Sequence, residues 1–428
     1  MSTGARGAEL RVLIVSDQYE PMVGGVPTVT AELARGLAER GHAVAVVAPA
    51  TTWRGGSSLA VAAAPAGAVT VTLRGSVRWP WYEGQRLGLL PASAARELIT
   101  AFAPDVAHLH SPLTLGLAVR SAARRHRVPV LYTNHYLPAN VYPSAPARAG
   151  SRVSAASRAI ADAAFDTAFY GYVTGFANRC DHVTAPTMTA LRLLRDHGLR
   201  ARSQVVSNGV DLDAFSPGLP GTDEKELRRR YSLPAGRPVI VSVGRLSPEK
   251  RVEVLIEAAA RLTGAGALLV LAGTGPDSGR LEALAARLRV SGRVRFLGLV
   301  PADDLPGLYR LADVFAIASE AELQSLVTME AMASGLPVIA VDAGALAELV
   351  HPGENGFLVS PGQAVGQAGT VAGYLDLLCR DRALRGKMSK ASLRIIGTHD
   401  RHRVLARWEF IYAALSGRGT AEEGNRQR

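Results

Sequence analysis

Cysteine is almost missing from this chain. Only Cys180 and Cys379 occur among 428 residues, far apart in sequence. That excludes a disulfide-stapled secreted scaffold and reads as two reduced thiols in a cytosolic protein. A membrane-spanning run is missing too. The long uncharged stretches, 55–73 and 355–375, are broken by Gly, Pro and polar residues and read as loops and short elements. Residues 1–10 are polar and Gly-rich, and the absence of an apolar run after them speaks against a secretory signal. The first 200 residues hold no lysine, but 20 arginines against 12 acidic residues, a surplus of +8 out of the chain's +11. Nothing interleaves aromatics with those arginines as a single-strand binder needs, so no nucleic-acid partner is expected. The basic half suits an anionic surface or substrate, and it also fits arginines scattered over solvated faces. Apolar residues make up 48% and charged residues 20%, which excludes disorder, and the length allows two or three full-sized cores.

What is present is a long alternation of strand and helix signals. Short apolar runs predict buried strands at 10–16, 42–48, 69–73, 106–110, 128–133, 181–186 and 201–207. Helices are expected between them at 27–41, 91–102, 113–125, 151–179 and 188–197, the last with Thr187 as N-cap. Residues 217–236 are polar and punctuated by Gly and Pro, and read as a linker. A second series follows. Its strands are expected near 237–243, 267–272, 293–297, 314–318, 337–340 and 352–359. Its helices are expected up to 262 and at 280–288, 305–312, 323–333, 362–378, 383–396 and 401–415. This pattern argues for an α/β fold with parallel sheets, whose ligands sit beyond the carboxyl ends of the strands. In 151–179, Ile160, Ala164, Phe165, Phe169, Val173 and Phe176 recur about one turn apart and predict a packed face. With Tyr170, Tyr172, Arg152, Arg158 and Arg179, the same segment also reads as a surface for an acceptor or a lipid headgroup layer.

Chemistry-bearing residues concentrate at the predicted strand ends. Glu322 is expected in a loop and Glu330, eight positions on, in the second turn of the following helix. Leu326, Met329, Met332 and Ala333 would share that helix's buried face. Its first turn, around Ser325 and Leu326, leaves backbone N–H groups free for an anion. A carboxylate, a helix start and a second carboxylate in this order can hold hydroxyls, a phosphate and more hydroxyls. Arg245 and Lys250 lie on a strand-to-helix loop, where two cations can neutralise a diphosphate. Gly24-Gly25 before a helix can form a phosphate nest, and is equally an ordinary turn. Gly273 and Gly275 begin a dinucleotide-like loop, but Gly279 comes one residue late, so hydride transfer is rejected. The backbone around Val300 could face a base edge. His110 and His135 fall at strand ends, and neither the His108/His110 pair nor Asp211 and Asp213 predict a metal site.

The run from Glu322 to Glu330, ending in small residues and an apolar strand, resembles the signature of retaining nucleotide-sugar glycosyltransferases of family 4. So do the run 244–250 (GRLSPEK), the run NGVD at 208–211 with Phe215, the run PGENGFLV at 352–359, and Thr133-Asn134-His135. The resemblance covers roughly 11–414. It implies a GT-B fold, two Rossmann-like doubly wound parallel-sheet domains facing across a cleft. The divisions it suggests are an acceptor-side domain at 10–207, a hinge at 208–236, a nucleotide-sugar domain at 237–398 and a last helix at 399–416 crossing back to the first domain. Residues 1–9 and 417–428 read as a disordered leader and tail.

The implied reaction is transfer of a hexose from a nucleoside diphosphate sugar, with UDP expected, to an acceptor hydroxyl with retention. No metal and no cofactor beyond that co-substrate is implied. Catalytic roles would fall on His135, Glu322, Arg245 and Lys250. Donor binding would involve Gly24, Gly25, Arg245, Lys250, Gly273, Gly275, Val300, Ser325, Leu326 and Glu330. Arg245, Lys250 and the helix start would take the diphosphate, Glu330 the ribose diol, and Glu322 and His135 the sugar. No carboxylate is placed to attack the anomeric carbon, so front-face transfer is expected over double displacement. Closure of the two domains about the hinge near Asn208 is expected on donor binding.

The acceptor stays open at this level. Gln324 stands where many members have Phe, and is similar to glycolipid-forming members. A diacylglycerol-type lipid therefore fits, with the protein cytoplasmic and peripheral at the inner face of an anionic membrane. A soluble secondary-metabolite core or sugar phosphate fits the missing span equally. A nucleotide-sugar 2-epimerase is the rival enzyme, and a non-catalytic sugar-nucleotide-binding protein the rival outside catalysis. The presence of Arg245, Lys250, Glu322 and Glu330 argues against the latter.

Overall fold

The computed structural model describes residues 9–50, 69–78, 86–141, 155–218, 224–264 and 266–418. Outside these lie nearly all of the expected leader and tail, most of the stretch 55–73, residues 142–150 and Arg152, as well as the side chains of Arg158 and Ile160. The chain forms two compact units. The first comprises the described residues up to Ser207 together with those from His402 onward, and the second is built from Asn208–Arg401.

The strands of the first unit are β1 (Arg11–Val15), β2 (Ala43–Pro49), β3 (Val69–Arg74), β4 (Ser76–Arg78), β5 (Arg86–Gly88), β6 (Val106–Leu109), β7 (Val130–Thr133), β8 (His182–Ala185) and β9 (Ser203–Val205). Among the described residues, seven of them pair in parallel in the order β3-β2-β1-β6-β7-β8-β9, and β4 and β5 form an antiparallel hairpin that the sequence did not announce. Apolar residues run without a break through β1 because helices cover both faces of the sheet. Alternate residues then serve opposite cores. Leu13, Val15, Ala107, Leu109, Val130 and Tyr132 point to one, while Val12, Ile14, Val106 and Leu131 point to the other.

The second core is completed from the far end of the chain. Helix Arg401–Leu415 contributes Val404, Leu405, Trp408, Ile411 and Tyr412 to it, beside Leu33, Ala34, Leu37 and Ala38 of helix Gly25–Glu39. The two helices approach closely at Gly36, where an added Cβ would lie 2.5 Å from Leu405 Cδ1. Tyr412 also reaches His108 Nδ1 at 2.7 Å.

The second unit contains β10 (Val239–Val243), β11 (Leu268–Ala272), β12 (Val294–Gly298), β13 (Val314–Ile317), β14 (Val338–Val341) and β15 (Gly356–Val359), in parallel order β12-β11-β10-β13-β14-β15. The same alternation holds. Ile240, Leu269, Leu271 and Ile339 serve one core, and Val239, Val241, Leu268, Val270 and Val338 the other. These two Rossmann-like sheets make the fold GT-B.

Two expectations change. The stretch read as a linker carries helix Glu224–Arg230, whose Leu227 is fully buried in the second unit's core. Arg230 and Tyr231 both bond Asp304, at 2.8 and 2.5 Å. Lys225 to Arg230 looked like a solvated charge run because a single leucine is too faint a periodic signal. The packed face expected in 151–179 also shifts. Helix Ala155–Ala177 forms, but Ala164 is exposed and Phe165 and Phe169 are only half-buried. Burial starts at Tyr170 and continues through Val173, Phe176 and Ala177.

Trp408→Ala should lower the stability of the first unit by about 3–5 kcal/mol, since it empties a filled core site. Phe410→Ala, two residues on and 51% exposed, should change it by no more than about 0.5 kcal/mol. Urea unfolding followed by circular dichroism distinguishes the two, and equal midpoints would contradict the placement of this helix.

Candidate functional site

In the second unit the strand order reverses between β10 and β13, and the loops that follow these two strands carry the charged residues. The loop after β10 zips to the loop after β11 by backbone bonds. Gly244 N donates to Ala272 O at 2.9 Å, Leu246 N to Thr274 O at 2.9 Å, and Asp277 N to Leu246 O at 3.0 Å. An added Cβ at Gly273 would lie 1.9 Å from Gly244 O, and one at Gly275 would lie 2.2 Å from Leu246 O. These glycines therefore let the two loops touch.

Arg245 donates to Glu249 Oε1 at 2.8 Å, and Ser247 Oγ donates to the same oxygen at 2.6 Å. Burial pushes Glu249 up, but these two donors outweigh it and hold the carboxyl below its usual range. Lys250, at the end of the short turn Pro248–Lys250, donates to Glu322 Oε1 at 2.7 Å. Glu322 is 9% exposed and lies in the loop between β13 and helix Leu326–Ala333. Its carbonyl accepts Ala345 N at 2.9 Å, which ties the loop down from the β14 side. Arg251 pairs with Glu320 beside it. The site thus holds its cations against its own carboxylates.

Helix Leu326–Ala333 starts later than 323, and Ser325 is its N-cap, with Oγ 3.4 Å from Thr328 N and 2.9 Å from Thr328 Oγ1. Met329, Met332 and Ala333 are buried, and Leu326 packs only partly. Glu330 lies in the second turn, and Tyr309 OH donates to its Oε2 at 2.9 Å. Tyr309 is fully buried, and desolvation together with Glu330 holds its hydroxyl protonated well above the ordinary range. Val300 packs its side chain into the core. Gln324 ties the same loop to the start of the unit, since its Oε1 accepts Asn208 N at 2.7 Å.

The first unit repeats the design at β1 and β6, where its own strand order reverses. Gly24 caps helix Gly25–Glu39, which begins two residues before the expected start and leaves exposed glycines at its N-terminus. His135 follows β7, and its Nε2 lies 2.9 Å from His110 Nδ1. Burial draws His135 down to about 4, so it is neutral near pH 7.

Sequence reasoning missed Glu249, Tyr309 and Asp17. Asp17, directly after β1, is 2% exposed. It accepts Ser111 Oγ at 2.7 Å, Gly88 N at 3.2 Å and Thr114 Oγ1 at 3.4 Å. Burial raises its carboxyl to about 6 against the pull of those donors. Glu249, four residues after Arg245, was readable in principle, whereas Tyr309 and Asp17 gave no periodic signal. Among the described residues, no group of three or more His, Cys, Asp or Glu is arranged to hold a metal ion, and no helix is long and apolar enough to cross a membrane.

Residues 223–394 match the family described as Glycosyl transferases group 1, and residues 23–214 match Glycosyltransferase Family 4. The chain is 33% identical over 357 residues to a GDP-mannose-dependent alpha-mannosyltransferase of Mycolicibacterium smegmatis, covering 82% of this chain and 84% of that protein. A protein of the same name from Mycobacterium tuberculosis is 32% identical, with 83% and 85% covered. A D-inositol 3-phosphate glycosyltransferase of Mycobacterium bovis is 39% identical over 204 residues, covering 46% of this chain and 41% of that protein. Among solved structures, sucrose-phosphate synthase of Thermosynechococcus elongatus superposes with a TM-score of 0.75 at 21% identity, covering 95% of this chain and 99% of that one. Anabaena HepE with UDP and glucose gives 0.72 at 21%, covering 95% and 100%. Both of these speak for the fold alone.

Asp17 has a consequence for stability. Its native pKa of about 6 lies above the 3.8 of an ordinary carboxyl. Well below pH 3.8 both states are protonated and nothing is lost. As pH rises toward 6 the unfolded chain ionises first, so stability falls by about 3 kcal/mol and stays lost above that. Asp17→Asn removes this slope, so urea midpoints should move in the variant's favour between pH 4 and pH 7. A constant difference between variant and wild type would contradict the raised pKa.

Proposed function

The chain belongs to glycosyltransferase family 4, the glycosyl transferases of group 1, and moves a sugar from a nucleotide sugar; from this premise we propose that its donor is GDP-mannose, that the product is an α-mannoside with retained configuration, and that the acceptor hydroxyl belongs to a membrane lipid. Relatives that match this chain along more than four fifths of their length are named for GDP-mannose and alpha-mannosyl transfer. They favour guanosine over the uridine expected from the wider family.

The observation that carries the catalytic reading is the Lys250–Glu322 contact at 2.7 Å, which joins the loop after β10 to the loop before the helix that begins at Leu326. Breakage of the donor's glycosidic bond leaves a cationic sugar ring and an anionic diphosphate. Lys250, Arg245 and the N–H groups at the helix start supply positive potential to the diphosphate as its charge grows. Glu322, already paired with Lys250, faces the sugar's hydroxyls and the cationic ring. Glu330, oriented by Tyr309, accepts the ribose hydroxyls. For the first unit, the same reading assigns sugar recognition to Gly24, Gly25 and His135. The acceptor oxygen attacks on the face from which the diphosphate leaves and passes its proton to the departing diphosphate oxygen, which keeps the configuration.

GDP-mannose should raise the melting temperature of the protein more than UDP-glucose does, because a ligand that binds only the folded state stabilises it. Lys250→Ala should lower kcat about a hundredfold, and Glu330→Gln should act mainly on the donor's KM. An unchanged kcat in Lys250→Ala would sink the catalytic reading. A larger shift with UDP-glucose would sink the donor assignment alone.

The lipid acceptor is supported by the arginine surplus of the first 200 residues and by Tyr172, 45% exposed on helix Ala155–Ala177. The protein should pellet with vesicles containing anionic lipid at low salt and be released at high salt. Failure to pellet at low salt would remove the lipid from the proposal.

A further inference from the structure

His110 has no role in the sequence reading beyond its place at a strand end, yet its environment is restrictive. It follows β6, and its backbone N donates to Val15 O of β1 at 2.8 Å, fixing the residue where the strand order reverses. Its ring is 1% exposed. Nδ1 lies 2.9 Å from Nε2 of His135, with the two rings 11° from parallel. Nε2 is buried and has no hydrogen-bond partner among the described residues. The neighbouring ring, His108, is 4.0 Å away between centroids and is saturated: its Nδ1 is 2.7 Å from Tyr412 OH and its Nε2 is 2.6 Å from Thr133 Oγ1. His135 itself, unlike His110, is half-buried.

A bond between two imidazole nitrogens needs one N–H and one lone pair. If His135 Nε2 were the donor, neutral His110 would carry its proton on Nε2, a buried N–H with no acceptor. Orphaned buried N–H groups are rare and cost their full desolvation. If His110 Nδ1 is the donor, its Nε2 keeps only a lone pair. His135 then accepts at Nε2 and must carry its own proton on Nδ1. We propose that His110 is a positioning residue that locks His135 in the Nδ1–H tautomer, so that His135 meets the donor sugar as a neutral hydrogen-bond donor.

The charged groups facing the pair do not disturb this. The charges acting on His110 are those of His108 and His135, and burial holds His108 and His110 well below the ordinary imidazole range. A neutral His135 protonated at Nδ1 can bond a sugar hydroxyl oxygen, and its Nε2 lone pair, engaged by His110, is not free to take the acceptor's proton. That contact rests on the proposed role of His135 in sugar binding. The tautomer itself does not.

Two kinds of measurement separate the tautomer from the sugar contact. Selective [15N]histidine labelling and long-range 1H–15N correlation, with His135→Gln used for assignment, should show His110 and His135 both protonated at Nδ1 in the wild-type protein. His110→Asn keeps an amide N–H near the place of Nδ1, so the His135 pattern and kcat/KM should be preserved. His110→Leu removes the donor. His135 should then lose its fixed tautomer, and kcat/KM for the sugar nucleotide should fall on the order of tenfold or more. Circular dichroism of both variants checks that they fold. Protonation of His135 at Nε2 in the wild type overturns the proposal, and so does an Nδ1–H pattern that survives in His110→Leu. Unchanged kcat/KM in His135→Ala overturns the sugar contact and leaves the tautomer to be judged by the spectrum.

Discussion

A parallel sheet can be extended from its first strand in two directions, and the point where the direction changes dictates where chemistry can occur. At that point the crossover helices leave to opposite sides, so the loops after the two central strands diverge and leave room for a ligand. Both units of this protein are built so. In the first, β1 is flanked by β2 and β6, and their loops carry Asp17, Gly24, Gly25 and His110. In the second, β10 is flanked by β11 and β13, and their loops carry Arg245, Lys250 and Glu322. Residues 72 positions apart, Lys250 and Glu322, meet because two strands that are distant in sequence are neighbours in the sheet.

Putting ionisable groups at such a place has a cost, and the structure meets it locally. Glu249 and Asp17 are both buried carboxyls that accept several hydrogen bonds, yet they end on opposite sides of the ordinary value. For Glu249 a guanidinium and a hydroxyl outweigh burial. For Asp17 the donors are two hydroxyls and backbone N–H groups, all uncharged, and burial wins. The contrast follows from the strength of charge-assisted bonds over neutral ones. It also explains why the cations of the second unit are not simply exposed: Arg245 and Lys250 are oriented by the carboxylates of Glu249 and Glu322.

The elements most legible in the sequence were those whose signal is purely local. The buried strands declared themselves by apolar runs, Thr187 by its capping chemistry, and helix Arg401–Leu415 by its pattern; Thr187 Oγ1 does accept Ala190 N at 3.1 Å. The positions of the charged residues were legible as well: Arg245, Lys250 and Glu322 lie on the loops after β10 and β13, and Glu330 lies in the helix that follows. What the sequence hid were pairings. Helix Glu224–Arg230 passed for a linker because one leucine anchors it. Tyr309 drew no attention because its bond to Glu330 spans 21 positions. The packed face of helix Ala155–Ala177 was placed too early, since periodicity shows that a face exists and not how far along the helix a neighbour covers it.

Local order in this chain was thus set by residue type and spacing, which fix strand, turn and helix over distances of a few residues. Which side chain answers which, on the other hand, was decided by the folded sheets. The tautomer of a buried histidine, the carboxylate opposite a lysine and the core beneath a terminal helix depend on atoms brought together from far along the chain. Hydrogen bonds and desolvation act over a few ångströms of space, and spacing along the sequence carries no record of that distance.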